Sequence, residues 1–274
     1  THAAYSLKIL IETLNYYLNK KGSFVVNKKG IFLCNTNQKE DVFCNLKLDA
    51  ENFKKFQVNR DGDICFSVNL NTFYNEMLKK IKKKDSITLQ IIKEDQHLFI
   101  KITKESPDDK TNKFSAKTPI TESRHIPIEP PKGYGQPINI LSKTFQQSCR
   151  EITRPTNKEI EVICLNERVL QFFASKNDVI ENEITFGSPD EEEKTVLTET
   201  FRNKCPASHI VRPAKLAGLN ETVKIFVKTD LPIYYKMNVG SLGEIGIYIK
   251  TSEQIRSEKD TAEEEEEEKE EKED

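Results

Sequence analysis

Hydrophobic positions in this chain change their period several times, and each change marks an element. From Tyr5 to Asn19, Leu7, Leu10, Ile11, Leu14, Tyr17 and Leu18 recur at i, i+3, i+4 and i+7, the spacing of one helical face, so an amphipathic helix is predicted there. The period then falls to two. SFVVNKKGIFLCNTN and DVFCNLKLDAENFKKFQV alternate in short runs broken by Gly30 and Asn-rich turns, which reads as consecutive antiparallel strands. A strand over Ile64 to Val68 leads into a second helix, Leu70 to Lys83. After Asp85 the runs SITLQII and HLFIKIT pair around a polar turn at Lys93 to Gln96, and Lys110 to Lys117 forms a polar strand. Thr118 to Pro137 carries five Pro and two Gly with no sustained period. It reads as a connector.

Beyond the connector the pattern begins again. A strand at Ile138 to Leu141 precedes a helix at Lys143 to Arg154. The strands EIEVICL, RVLQFFAS and NEITF follow, then an acidic loop, a strand at Lys194 to Thr200, a helix at Pro206 to Leu216 and the strand TVKIFVK. The last pattern is DLPIYYKMNVGSLGEIGIYIKT, Asp230 to Thr251, where Ile233, Tyr235, Met237 and Val239 alternate with polar positions. Gly240-Ser241-Leu242-Gly243 turns the chain, and Ile245, Ile247 and Ile249 resume the alternation, as in a hairpin. Each half therefore reads helix, strands, helix, strands over about 120 residues, too long for a solenoid unit and suited to a duplicated domain. The fold class is α+β. The expected organisation is an N-terminal domain at 1–119, a connector at 120–136, a C-terminal domain at 137–257 and a disordered acidic tail at 258–274.

Charge changes the picture at the C-terminus. The whole chain holds 42 basic and 44 acidic residues, a net charge of -2, but 12 of the acidic and 3 of the basic residues lie in 258–274. Removing them leaves 39 basic against 32 acidic residues, so the body stands near +7. Such a body suits a polyanionic partner, and the tail would repel one. Six Cys, at 34, 44, 65, 149, 164 and 205, include no C-x-x-C pair and read as reduced core residues. No apolar run approaches the roughly 18 residues of a membrane span, and no signal peptide is visible, so an intracellular protein without membrane partners is expected. The chain opens on Thr1 rather than Met, which leaves room for residues upstream.

Candidate chemistry is thin for an enzyme. There is no phosphate loop, zinc spacing or nucleophile arrangement, and Gly243-Glu244-Ile245-Gly246 belongs to a turn and strand rather than a dinucleotide fingerprint. His2, His97, His125 and His209 are scattered. No catalytic residue, metal site or cofactor is expected. What stands out is lysine: Lys79, Lys80, Lys82, Lys83 and Lys84 end the second helix, and Lys20 and Lys21 end the first. Lys143, Arg150 and Arg154, then Arg212 and Lys215, repeat the bias in the second half. A solvated helix face favoured by the C-terminal dipole would show the same lysines. A channel lined with phosphate contacts would as well, and such contacts ignore sequence and permit sliding.

The hairpin, with LKILIETLNYYL, GIFLCNTNQKEDVFCNLKL, FSVNLNTFYNEMLKKIKKKDSITL, KTFQQSCREI and PAKLAGLNETVKIFVKTDLP, resembles PCNA, the eukaryotic sliding DNA clamp, in the same order over nearly the whole chain. The resemblance implies two similar domains with strands outside and helices lining a pore, three chains closing a ring on double-stranded DNA. It implies a processivity factor rather than an enzyme, a homotrimer that a clamp loader opens and that tethers DNA polymerase and repair proteins through short peptide motifs. The divergence and the acidic tail suggest a virus or a fast-evolving eukaryote, so replication sites in a nucleus or a viral compartment are expected. The alternatives are a subunit of a checkpoint-type heterotrimeric clamp, or a clamp-fold transcription or scaffold factor that does not encircle DNA.

Carried over by position, Lys8, Lys80, Arg150 and Lys215 fall where the family places pore-lining basic residues, and Lys79, Lys83, Arg154 and Arg212 extend the set. Asn15 and Gln147 are neutral where the family is usually basic. Partner peptides are expected at Val42, Phe43, Ile126, Ile128, Pro232, Tyr248 and Ile249, with the apolar HIPIE of the connector as the informative part. Lys250 departs from a usually small residue. Ring closure is expected to join the strand Lys110 to Lys117, with Lys113, Phe114 and Ser115, to the strand Val169 to Ser175 or its continuation, with Phe172, Phe173 and Ala174, of the next chain, because strand edges demand pairing.

Overall fold

The computed structural model describes residues 3–92, 96–104, 112–124, 127–152, 159–166, 168–176, 180–187 and 198–270. The chain forms two compact units. The first comprises Thr1–Pro130, Lys215–Glu221 and Lys236–Ile247, and the second Pro131–Ala214, Thr222–Tyr235 and Tyr248–Asp274.

In the first unit α1 (Ala3–Tyr17) buries Leu7, Leu10, Ile11 and Leu14, the apolar face its spacing predicts. β1 (Lys21–Asn27), β2 (Gly30–Thr36) and β3 (Val42–Asp49) form an antiparallel meander, and β4 (Ile64–Asn69) pairs with the other side of β1. α2 (Leu70–Thr72) is capped by the Asn69 side chain, which accepts the Thr72 N–H, and passes into a π-helical turn at Phe73–Leu78. β5 (Ser86–Ile92), β6 (His97–Lys104) and β7 (Asn112–Glu122) follow, giving the order β5-β6-β7-β4-β1-β2-β3. β7 changes neighbour along its length: Asn112 to Pro119 pair with β6, and Ile120 to Glu122 pair with β4. Pro119, which has no N–H to donate, sits at that changeover, where a ladder tolerates it.

The second unit opens with β8 (Ile138–Leu141) and α3 (Ser142–Ile152), followed by β9 (Glu159–Leu165), β10 (Val169–Lys176), β11 (Ile180–Phe186) and β12 (Glu199–Pro206). These last four make a sheet in the order β11-β10-β9-β12. Its core is aromatic: Phe172 meets Phe186 edge-on at 5.4 Å, and Phe145 lies 6.0 Å from the fully buried Tyr235. The helix expected at Pro206 to Leu216 is two pieces, α4 (Ala207–Val211) and α5 (Pro213–Ala217), because Pro213 cannot continue the ladder of the preceding turn. β13 (Thr222–Phe226) pairs with β8.

β14 (Ile233–Asn238) and β15 (Gly243–Ile249) form the expected hairpin, and residues of each strand fall in both units. Gly240, at φ 56°, makes its turn, and a Cβ there would stand 2.5 Å from the Ser6 hydroxyl. Within the first unit Gly243–Ile247 lies beside β3.

Four expectations need correction. The helix over Leu70 to Lys83 is an α turn followed by a π turn that ends at Leu78. The connector begins later, since Thr118 to Glu122 belong to β7. The strand expected at Lys194 to Thr200 is β12, from Glu199 to Pro206, and residues 191–197 lie outside the described set. The acidic segment expected to be disordered from Glu258 continues α6 (Ser252–Glu270); 271–274 are outside the described residues. A capping box starts that helix: the Gln254 N–H donates to the Thr251 hydroxyl, and the Gln254 side-chain oxygen accepts the Thr251 N–H.

Candidate nucleic-acid and partner interfaces

The lysine-rich turn after the π turn is held from three directions. Ile81, only 2% exposed, anchors it, and the buried Asp85 carboxylate accepts the Lys82 N–H at 2.8 Å. From α1, the Lys8 ammonium donates to the carbonyls of Lys79 at 2.7 Å and Ile81 at 3.0 Å, supplying donors where a helix end leaves acceptors unfilled. Lys8 and Lys83 each place a cation 5.8 Å from the centre of the Tyr5 ring, within cation–π range. The side chains of Lys79, Lys80, Lys82, Lys83 and Lys84 are exposed on this pinned turn.

The other candidate phosphate contacts divide. Lys8 and Lys215 are engaged inside the first unit, the latter in an ion pair with Glu12. Burial first, and Glu12 second, push the Tyr74 phenol up to about 12. In the second unit Lys143 and Arg150 are exposed on α3, Arg212 is exposed after α4, and the neutral Gln147 donates to Glu151 at 3.0 Å. Arg154 lies outside the described residues.

The candidate peptide residues differ in access. In the first unit Val42 and Phe43 on β3 are buried, Ile128 is 37% exposed, and Ile126 lies outside the described residues. In the second, Pro232 is half-buried, while Tyr248 and Ile249 are buried. Tyr248 is covered face to face by Tyr234, with ring centres 4.2 Å apart and planes 1° from parallel. Tyr134 completes this stack. Its hydroxyl donates to the Pro232 carbonyl at 2.7 Å, and burial holds its phenol well above the ordinary range. The sequence reading passed over Tyr134, and a lone aromatic between Gly133 and Gly135 was the available signal.

The closure residues separate as well. Lys113, Phe114 and Ser115 are exposed on the part of β7 that precedes its pairing with β4, and Phe114 is 42% exposed. Phe172, Phe173 and Ala174 lie on β10, which pairs with β11 over Leu170–Lys176 and with β9 over Val169–Phe173, so the backbone at Phe172 and Phe173 has a strand on both sides. The edge strand is β11. Among the described residues no group of acidic, His or Cys side chains could hold a metal, and no helix is long and apolar enough to cross a membrane. All six cysteines are free thiols, and burial pushes Cys44, Cys149 and Cys205 up to about 12, which leaves them unreactive.

Residues 2–123 match the family model of the proliferating cell nuclear antigen, N-terminal domain. Curated relatives extend the match past the connector. The chain as a whole resembles this family. It is 24% identical over 213 residues to the "Probable DNA polymerase sliding clamp 1" of Paramecium bursaria Chlorella virus 1, covering 75% of this chain and 78% of that protein. It is 24% identical over 245 residues to the "Probable DNA polymerase sliding clamp" of Autographa californica nuclear polyhedrosis virus, covering 89% and 91%. Against the proliferating cell nuclear antigen of Chaetomium thermophilum, identity is 22% over 251 residues, covering 89% and 90%. A PCNA2–PCNA3 complex from Sulfolobus tokodaii shares the PCNA-like fold, with a TM-score of 0.76 at 16% identity over 92% of this chain and 98% of that one.

Proposed function

We propose that this PCNA-like chain is a sliding clamp: a ring of three copies that encircles duplex DNA without reading its sequence and keeps a DNA polymerase from dissociating. One observation carries the assembly. In the first unit the strand that ends the second repeat, β15, lies beside β3, the third strand of the first repeat. The strand that ends the first repeat is β7, and the third strand of the second repeat is β11. Their edges are the counterparts of that pair, so β7 of one chain joins β11 of the next, and the joint closes a ring.

In the first unit the pinned Lys79–Lys84 turn supports phosphate contacts, and in the second unit the exposed Lys143, Arg150 and Arg212 do so separately. Contacts of this kind are screened and sequence-independent, and topology rather than affinity keeps the ring on its track. In the second unit, Pro232 offers half-buried apolar surface for short partner peptides, held by the hydroxyl of Tyr134 in the Tyr134–Tyr234–Tyr248 stack; in the first unit, Ile128 is exposed. A closed ring needs a loader to open it, and its place of work is the site of replication, in a nucleus or a viral compartment. Retention on circular but not linearised DNA tests the clamp reading. Equal loss from both would leave a scaffold that keeps the fold without encirclement.

A second reading has its own support, since the solved neighbour is a complex of two different PCNA subunits. This chain then occupies one place in a mixed ring. The native mass of the purified chain separates the two: three copies alone support the homotrimer, and a persistent monomer that assembles only with a related chain supports the mixed ring.

A further inference from the structure

Resting on the clamp reading, we infer that Glu12 restrains the DNA-facing layer: its carboxylate holds the Lys215 ammonium in an intramolecular pair, so that this lysine meets phosphate only by leaving Glu12. The pair joins α1 to α5 inside the first unit, and its two side chains differ in access, 58% exposed for Lys215 and 21% for Glu12. A passing polyanion can therefore reach the cation while the carboxylate stays set back.

Glu12 also acts on Tyr74 of the π turn, helping burial to raise its phenol. The same layer shows the pattern again at Lys8, whose ammonium donates to two backbone carbonyls. Two cations that resemblance assigns to phosphate thus have partners within the chain, whereas the side chains of Lys79, Lys80, Lys82, Lys83 and Lys84 are exposed. An exposed ion pair is weak and easily screened, so phosphate can compete for Lys215. Such a cation trades between carboxylate and phosphate instead of holding either, which lowers the grip on DNA without removing the charge. The role of Glu12 is positioning and restraint, not contact.

The experiment is a double-mutant cycle read in the salt dependence of DNA association, using the assembled ring and a duplex of mixed sequence. Glu12→Gln keeps the shape and an acceptor for Tyr74 but releases Lys215. It should steepen the log K against log salt slope by about one unit and tighten binding several-fold at low salt. Combining it with Lys215→Ala should abolish the gain. A slope unchanged in Glu12→Gln overturns the inference, and so does a gain that survives Lys215→Ala, which would then reflect net charge alone. Should Glu12→Gln fail to assemble, Lys215→Ala by itself decides: it should lower the slope by less than Lys80→Ala, and an equal or larger drop makes Lys215 a plain phosphate contact. A parent ring with no salt-dependent DNA association overturns the clamp reading as well, whereas a parent that binds, with Lys80→Ala weaker, confines any failure to Glu12.

Discussion

The four-stranded sheet of the second unit ends in two edges that are treated in opposite ways. β12, at one end, is tied repeatedly. Arg202 forks to Glu199 and Glu161 at 2.8 and 3.0 Å, Asn203 donates to Glu253 at 2.7 Å, and α6 packs against the strand from a capping box at Thr251. Ser252 adds a hydrogen bond of 2.6 Å to Glu159 on β9. Among the described residues β11, at the other end, has β10 as its strand neighbour and no second one. Its outward Glu183 and Thr185 form a small polar cluster with Gln171 on β10. An unpaired edge invites another strand, and natural proteins cover the edges they do not use. The open edge is the one that the proposed ring closure uses.

Breaking the open edge should have the largest effect. Phe114 is the exposed apolar residue on the bare stretch of β7, the proposed mate of β11. Phe114→Glu places a carboxylate where the joint would desolvate it, and subunit affinity should fall at least 100-fold, roughly 3 kcal/mol. Analytical ultracentrifugation at micromolar concentration should show monomers with an unchanged far-UV spectrum. A variant that keeps the parent's mass would place closure elsewhere.

The closed edge offers the converse. Deleting residues 252–274 should uncover β12 and create an edge that the ring does not use. The expected result is slow, concentration-dependent association of intact rings, seen as particles heavier than the parent in light scattering, with the ring itself preserved. If the truncated rings stay as soluble and as uniform as the parent, α6 is not what protects β12.

These two edges also show where reading the sequence succeeds and where it stops. Period alone located α1, β8, the meander and the final hairpin, because one buried face per element writes itself as spacing. Strand order is not written that way. NEITF and RVLQFFAS both read as strands, and only pairing among the described residues shows β10 to be interior and β11 to end the sheet. The acidic composition of the tail predicts disorder, whereas Thr251-x-x-Gln254 just before it is a helix start that the same sequence contains. Lys8 and Lys215 were legible as cations. Their partners were not, since Glu12 and Lys215 stand 203 positions apart.

A smaller change sharpens the closed edge by loosening only its helix. Thr251→Ala removes the hydroxyl that accepts the Gln254 N–H, and N-cap losses of this kind cost about 1 kcal/mol. Hydrogen exchange across residues 252–261 should accelerate, while β12 and the ring keep the protection of the parent. Acceleration that spreads through β12 would mean that the strand depends on α6 for its order.

The smallest effect lies in the Arg202 fork, the part of the β12 edge that water reaches. Its hydrogen bond to Glu199 holds that carboxyl below its ordinary value, against a weaker opposing effect of desolvation. A depressed carboxylate stabilises the folded state above the unfolded value, near 4.3 for Glu, and that contribution is lost as pH falls through the lower folded value. Acidification should therefore release the fork at a pH below the range in which free glutamates titrate. Following the Glu199 carboxyl by NMR should give a midpoint below about 4.3 in the parent and a return toward that value in Arg202→Ala. Both groups are exposed, so solvent screens the pair and the melting temperature should barely move. Equal midpoints in the two proteins would show that Arg202 does not grip Glu199 in solution and that α6 alone secures this edge.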